Sequence, residues 1–200
     1  MKKKIVLIIV VCFIAIGIVL IGKMYKCGEA EPDWATIKLN ETTITFPFPY
    51  RELEKAGFKL TEKQQEEIWD LKPGNSNMGP IELATENKGY DITVKAIFSN
   101  LDSKNGKIKP VTECSATYFR CIIWSLDTPY PSICIANQVE WGASEEDIVN
   151  VLGEPAHIDR GFIDYGYSLY TYETSQLEME LVIYAERGSG GVEFHDKDIK

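Results

Sequence analysis

His157 and His195 are the two histidines of a 200-residue chain, and they are a poor supply for acid–base catalysis. His157 follows Pro155-Ala156 in a loop. His195 lies near the C-terminus, where chain ends fray. Both read as surface residues. The sequence holds no His-Glu-x-x-His, no Gly-x-Ser-x-Gly, no Walker loop and no G-x-G-x-x-G. Gly188-Ser189-Gly190-Gly191 has the composition of a phosphate cradle, but it sits between two strand patterns and lacks a following helix, so a hairpin turn is expected there. Glu145-Glu146-Asp147 is explained by helix capping. Asp159 and Asp164 flank Gly161 without the spacing of a calcium loop. No catalytic residue, metal site or cofactor is expected.

The aromatic residues are the better lead. Tyr165, Tyr167, Tyr170, Tyr172 and Tyr184 crowd the strands expected last in the chain. In a strand, alternate residues share a face. Tyr170 and Tyr172 therefore share one, and Tyr184 shares another with Glu178 and Glu180. Where those faces coincide, an exposed sheet presents Tyr and Glu together. Tyr170, Tyr172, Glu178, Glu180 and Tyr184 are the candidate binding residues, because Tyr offers contact area at low entropic cost. The competing reading has the tyrosines closing the core.

Four cysteines follow the first 26 residues: Cys27, Cys114, Cys121 and Cys134. There is no C-x-x-C and no zinc-ligand pairing. Cys134 lies among apolar residues and reads as a buried thiol. Pairing of Cys134 with Cys114 or Cys121 in a disulfide is the alternative.

These residues need a scaffold, and periodicity outlines one. Thr42–Phe46 reads as a strand and residues 50–56 as a helix stopped by Gly57. Glu62 to Trp69 is a further helical turn, and residues 70–79 form a loop. Ile81, Leu83 and Thr85 share a strand face. Tyr90, Ile92, Val94, Ala96 and Phe98 share another, with Asp91, Thr93 and Lys95 opposite. Asn105-Gly106 marks a turn, and residues 111–124 are extended. Residues 133–139 read as one strand. Ser144 and Asp147 form a capping box for a helix that buries Ile148, Val151 and Leu152 and ends at Gly153. Strands are expected over about 165–172, 177–185 and 192–195. In the middle one Leu177, Met179, Leu181 and Ile183 alternate with Glu178, Glu180, Val182 and Tyr184, which makes its register firm. The expected class is α+β: one domain over 38–200, or two helix-plus-antiparallel-sheet subdomains at 38–124 and 125–200.

Residues 5–22 carry no charged side chain and follow Lys2-Lys3-Lys4. As a helix they span about 27 Å, against about 30 Å for the hydrocarbon core. A retained single-pass transmembrane signal anchor is expected, ahead of a 23–37 linker, with cleavage near Gly28-Glu29-Ala30 as the alternative. The lysine bias puts residues 1–4 in the cytoplasm and the C-terminal domain outside it, at the cell membrane. Five of the 21 Lys+Arg and none of the 30 Asp+Glu precede residue 27. Residues 27–200 thus carry 16 minus 30, or −14. That charge repels phosphate backbones and anionic headgroups, which argues against nucleic acid and for a basic partner surface or a divalent cation, with plain solubility as the competing reading.

Trp141-Gly142-Ala143-Ser144-Glu145-Glu146-Asp147-Ile148, then Leu152-Gly153-Glu154-Pro155 and a Tyr-rich strand, resembles the SmpA/OmlA family, the small lipoprotein of the outer-membrane β-barrel assembly machinery. The same fold occurs in tandem in secreted β-lactamase-inhibitor proteins. The likeness covers about residues 140–195 and touches the first half only through Tyr50–Gly57. It departs in lacking an acylated cysteine. The resemblance implies a helix-plus-antiparallel-sheet fold and protein binding through the sheet. The expected function is an extracytoplasmic interaction or scaffold module, including an inhibitor or immunity-type role. A structural envelope protein without a discrete site is one alternative. An enzyme on envelope material is another, and it requires a pocket joining His157 to Asp159 or Asp164.

Overall fold

A computed structural model describes residues 33–66, 70–85, 89, 92–102, 106–123 and 131–199. The expected transmembrane helix at 5–22, Cys12, Cys27, Tyr90, Asn105 and Trp124 lie outside these residues.

Among the described residues sixteen strands follow one another along the chain. The first half contains β1 (Thr36–Leu39), β2 (Thr42–Thr45), β3 (Phe48–Pro49), β4 (Phe58–Lys59), β5 (Asp70–Leu71), β6 (Ile81–Glu82), β7 (Ala84–Thr85), β8 (Ile92–Ser99), β9 (Lys109–Pro110) and β10 (Ser115–Ile123). The second half contains β11 (Ile133–Ile135), β12 (Val139–Glu140), β13 (His157–Asp159), β14 (Tyr167–Glu173), β15 (Leu177–Tyr184) and β16 (Gly188–Asp196). Three short helices interrupt them: α1 (Tyr50–Lys55), α2 (Glu62–Glu66) and α3 (Glu145–Leu152).

The dominant element is one large antiparallel sheet in the order β13-β14-β15-β16-β10-β8-β6, with β3 also paired to β10. A smaller sheet runs β12-β11-β1-β2. Both sheets mix strands from the two halves of the sequence, since β1 pairs with β11 and β10 with β16. Residues 32–200 form one compact unit.

The α+β class headed by a single-pass transmembrane helix is therefore corrected. Every strand pairing described is antiparallel, and the helices are 6, 5 and 8 residues long. Among the described residues no helix is long and apolar enough to cross a membrane. Helices this short do not stand alone in water. They cap and cover a sheet-built core.

One face of the large sheet makes that core. Tyr170, Leu181, Val192, Cys121 and Val94 run across it as one row of register partners. Tyr172, Met179, Phe194, Phe119 and Ala96 form the next. All ten are buried. Phe46 stacks on Phe194 at 5.4 Å between ring centroids, and Phe48 meets Phe119 edge-on at 5.2 Å. Trp34 and Ile37 join the same core, so the fold begins before the expected linker ends.

Two local expectations are corrected. Residues 133–139 are not one strand, because Ala136 and Asn137 both have positive φ (52° and 57°) and turn β11 into β12. The glycines at 188–191 do not form the turn; Ala185, Glu186 and Arg187 do, and the glycines lie within β16. A Cβ on Gly191 would come within 2.8 Å of the Val182 side chain, and one on Gly190 within 2.7 Å of the Tyr184 ring. Close packing requires glycine there.

Candidate functional site

Alternation on β15 is strict. Leu177, Met179, Leu181 and Ile183 are buried, while Glu178, Glu180, Val182 and Tyr184 are partly exposed on the other face. Because register partners stand side by side, that second face reads as four rows. The first is Glu173, Glu178, His195, Tyr118 and Ile97. The second is Thr171, Glu180, Glu193, Arg120 and Lys95. The third is Leu169, Val182, Gly191, Ile122 and Thr93. The fourth opens with Tyr167 opposite Tyr184. Charge, apolar surface and aromatic surface thus succeed one another along the strands.

Val182 and Ile122 close over Gly191 at the centre of the third row. A groove of about 230 Å³ lies on this face, lined by Leu169, Val182 and Ile122, with Tyr167 and Tyr184 on one side and Glu180, Glu193 and Arg120 on the other. Tyr167 and Tyr184 pack edge to face at 6.0 Å. The Arg187 guanidinium lies 3.9 Å from the centre of the Tyr184 ring, a cation–π contact.

The electrostatics are uneven. Glu193 has two basic neighbours, the Arg120 guanidinium at 3.4 Å and the His195 imidazole at 2.7 Å. Among the described residues Glu180 forms no hydrogen bond or ion pair. Burial first, then the charges of Glu193 and Glu178, push its carboxyl above the usual carboxylate range. The hydrogen bond to Glu193 raises His195 above the usual imidazole range. Tyr118 packs edge-on against that imidazole at 4.8 Å.

The five candidate residues divide between the two faces. Glu178, Glu180 and Tyr184 line the open face. Tyr170 and Tyr172 point into the core, where they bind α3 to the sheet. The Tyr172 hydroxyl donates to the Gly153 carbonyl at 3.2 Å, at the end of the helix. The Tyr170 oxygen accepts from Arg160 at 3.0 Å, and Arg160 also pairs with Glu145 at 2.9 Å. Burial pushes Tyr172 up to about 12. The Ser144–Asp147 capping box is present at the other end of the helix.

Cys114, Cys121 and Cys134 are all buried free thiols, so the disulfide alternative is corrected. Burial lifts Cys121 to about 12 and Cys114 to about 11, values at which the thiol stays protonated and inert. His157 is exposed on an edge strand. Asp159 accepts from the Gly161 amide at 2.7 Å in a local turn, and Asp164 is exposed. Among the described residues no three His, Cys, Asp or Glu side chains gather as metal ligands.

Glu193, Arg120, Leu169, Val182 and Ile122 were not legible as site residues. Val182 was placed on the right face by alternation on β15. The strand expected over about 192–195 contains Glu193, but its place beside Glu180 comes from the β15–β16 register, which no local pattern encodes.

The chain matches no protein-family model, no curated protein and no solved structure. The likeness of residues 140–195 to the SmpA/OmlA family rests on its motif alone.

Proposed function

We propose that the chain is a protein-interaction module whose open sheet face takes a cationic surface of a partner protein. The observation that carries this reading is Glu180, a partly buried carboxylate set beside Glu193 with no cation bonded to it among the described residues. A cation from outside relieves both the burial and the repulsion. The tyrosines and apolar row beside it supply the contact area that charge alone lacks. The −14 of residues 27–200 favours encounter with basic partners. An extracytoplasmic role as an inhibitor or immunity-type protein facing a basic hydrolase or toxin is the specific form we favour.

The test uses an array of basic, neutral and acidic peptides, probed with the full chain and with the Glu178→Lys/Glu180→Lys variant. The native chain is expected to retain basic peptides at least about tenfold better than acidic ones, one decade corresponding to 1.4 kcal/mol. The variant should lose that preference while its circular dichroism stays unchanged. Equal retention by both proteins contradicts the site.

A further inference from the structure

We infer that the groove beside Glu180 accepts a single lysine-length basic side chain of that partner, with its stem on the apolar row and its charged head at Glu180 and Glu193. The inference rests on the reading of the open face given above and assigns its recognition element.

Row spacing is the reason. Residues i and i+2 of a strand stand about 7 Å apart. The acidic row (Glu180, Glu193) and the tyrosine row (Tyr167, Tyr184) are therefore separated by the apolar row of Leu169, Val182 and Ile122. A charged head placed at the acidic row leaves about one row-spacing to a partner backbone lying over the apolar row. A four-methylene stem covers that distance, and lysine and arginine bury such stems on apolar surface while keeping the head polar. A shorter basic side chain would have to leave either the carboxylates or the floor. Val182 and Ile122 lean over Gly191 from both sides and, with Leu169, make the apolar floor of the groove. Arg120, on the rim, already neutralises part of Glu193, so the free carboxylate for an incoming cation is that of Glu180.

The tyrosine pair defines the other end. The Arg187 guanidinium lies over the Tyr184 ring at 3.9 Å from its centre, and the ring packs closely on Gly190. Tyr184 and Tyr167, one row beyond the apolar floor, are left to receive a neighbouring apolar residue of the partner. The geometry thus favours an extended segment in which the basic residue is followed or preceded by an apolar one.

The experiment is a series of capped peptides taken from the best basic binder on the array. They are identical except at one position, which carries lysine, ornithine, diaminobutyrate or norleucine. Affinity for the full chain is expected to fall by about tenfold from lysine to diaminobutyrate, the value of two methylenes removed from an apolar floor. Norleucine should bind worst. Val182→Ala should weaken the lysine peptide several-fold and leave the diaminobutyrate peptide unchanged, a pattern that general destabilisation does not produce. Basic peptides that bind equally at every stem length, with no effect of Val182→Ala, overturn the pocket and leave the basic-surface reading standing. Failure of every basic peptide to bind overturns both.

Discussion

Glu180 on β15 stands directly opposite Glu193 on β16, and Arg120 and His195 make their close contacts with Glu193. Like charges placed directly across a strand pair destabilise it. Most of the open face can be understood as the surroundings of this one unfavourable pair.

The pair has a signature in pH. The Glu180 pKa is raised in the folded chain, so its ionisation costs stability once pH exceeds the unfolded value near 4.3. The cost grows as pH rises through the folded pKa and vanishes in acid. Glu180→Gln should therefore raise Tm at pH 7.5 by about 2 °C, for a change of about 0.5–1 kcal/mol. It should do nothing at pH 4. An equal gain at both pH values contradicts the assignment.

His195 works in the opposite sense. Its bond to Glu193 favours the imidazolium, so the stabilisation is present below the unfolded pKa and is lost as pH rises through the raised folded one. Side-chain NMR should show His195 titrating above about 6.5, the ordinary histidine value. Glu193→Gln should lower that midpoint. A His195 midpoint at or below the ordinary value in the native chain counts against the contact.

The two buried tyrosines separate stability from binding. Tyr172→Phe removes the hydroxyl that satisfies the Gly153 carbonyl and should cost about 1 kcal/mol in denaturant unfolding. Basic-peptide affinity should be unchanged, because that ring is on the core face. Tyr184→Ala should show the reverse bias, with weaker binding at a smaller stability cost.

Gly188 joins the β15–β16 hairpin to the start of α3. Its φ is +73°, and a Cβ would fall 2.5 Å from the carbonyl oxygens of Gly142 and Ala143. The Gly142 amide donates to the Ser189 carbonyl, and the Ser189 amide to the Ala143 carbonyl. Gly188→Ala should destabilise by more than about 1 kcal/mol, seen as a lower urea midpoint with an unchanged m-value. A neutral substitution would mean this junction is loose.

Local rules read α3 and β15 correctly because each carries its own evidence. Ser144, Asp147, Ile148 and Gly153 are a complete helix signature within ten residues, and β15 alternates over eight. The α+β expectation fails because its two helix signatures, around Tyr50–Gly57 and Ser144–Gly153, are local and end in helices of 6 and 8 residues laid on a core built by the large antiparallel sheet. The pairing of β1 with β11 and of β10 with β16 joins residues about a hundred and about seventy-five apart, and no short-range pattern encodes that. The facing of Tyr170 and Tyr172 shows the same limit. Alternation pairs them with each other, but only the β14–β15 register, Tyr170 against Leu181 and Tyr172 against Met179, turns them inward. Glycines at 188–191 mislead because their usual meaning is a turn, whereas here they admit the side chains of Val182 and Tyr184.

The most direct measurement is a methyl and amide NMR map of the full chain during titration with a lysine-bearing peptide. Shifts should concentrate on Leu169, Val182, Ile122, Glu180 and Tyr184, and the core-facing Leu181 and Met179 on the same strand should stay nearly still. Shifts gathered on α3, on the edge strands or nowhere would contradict the account of the open face.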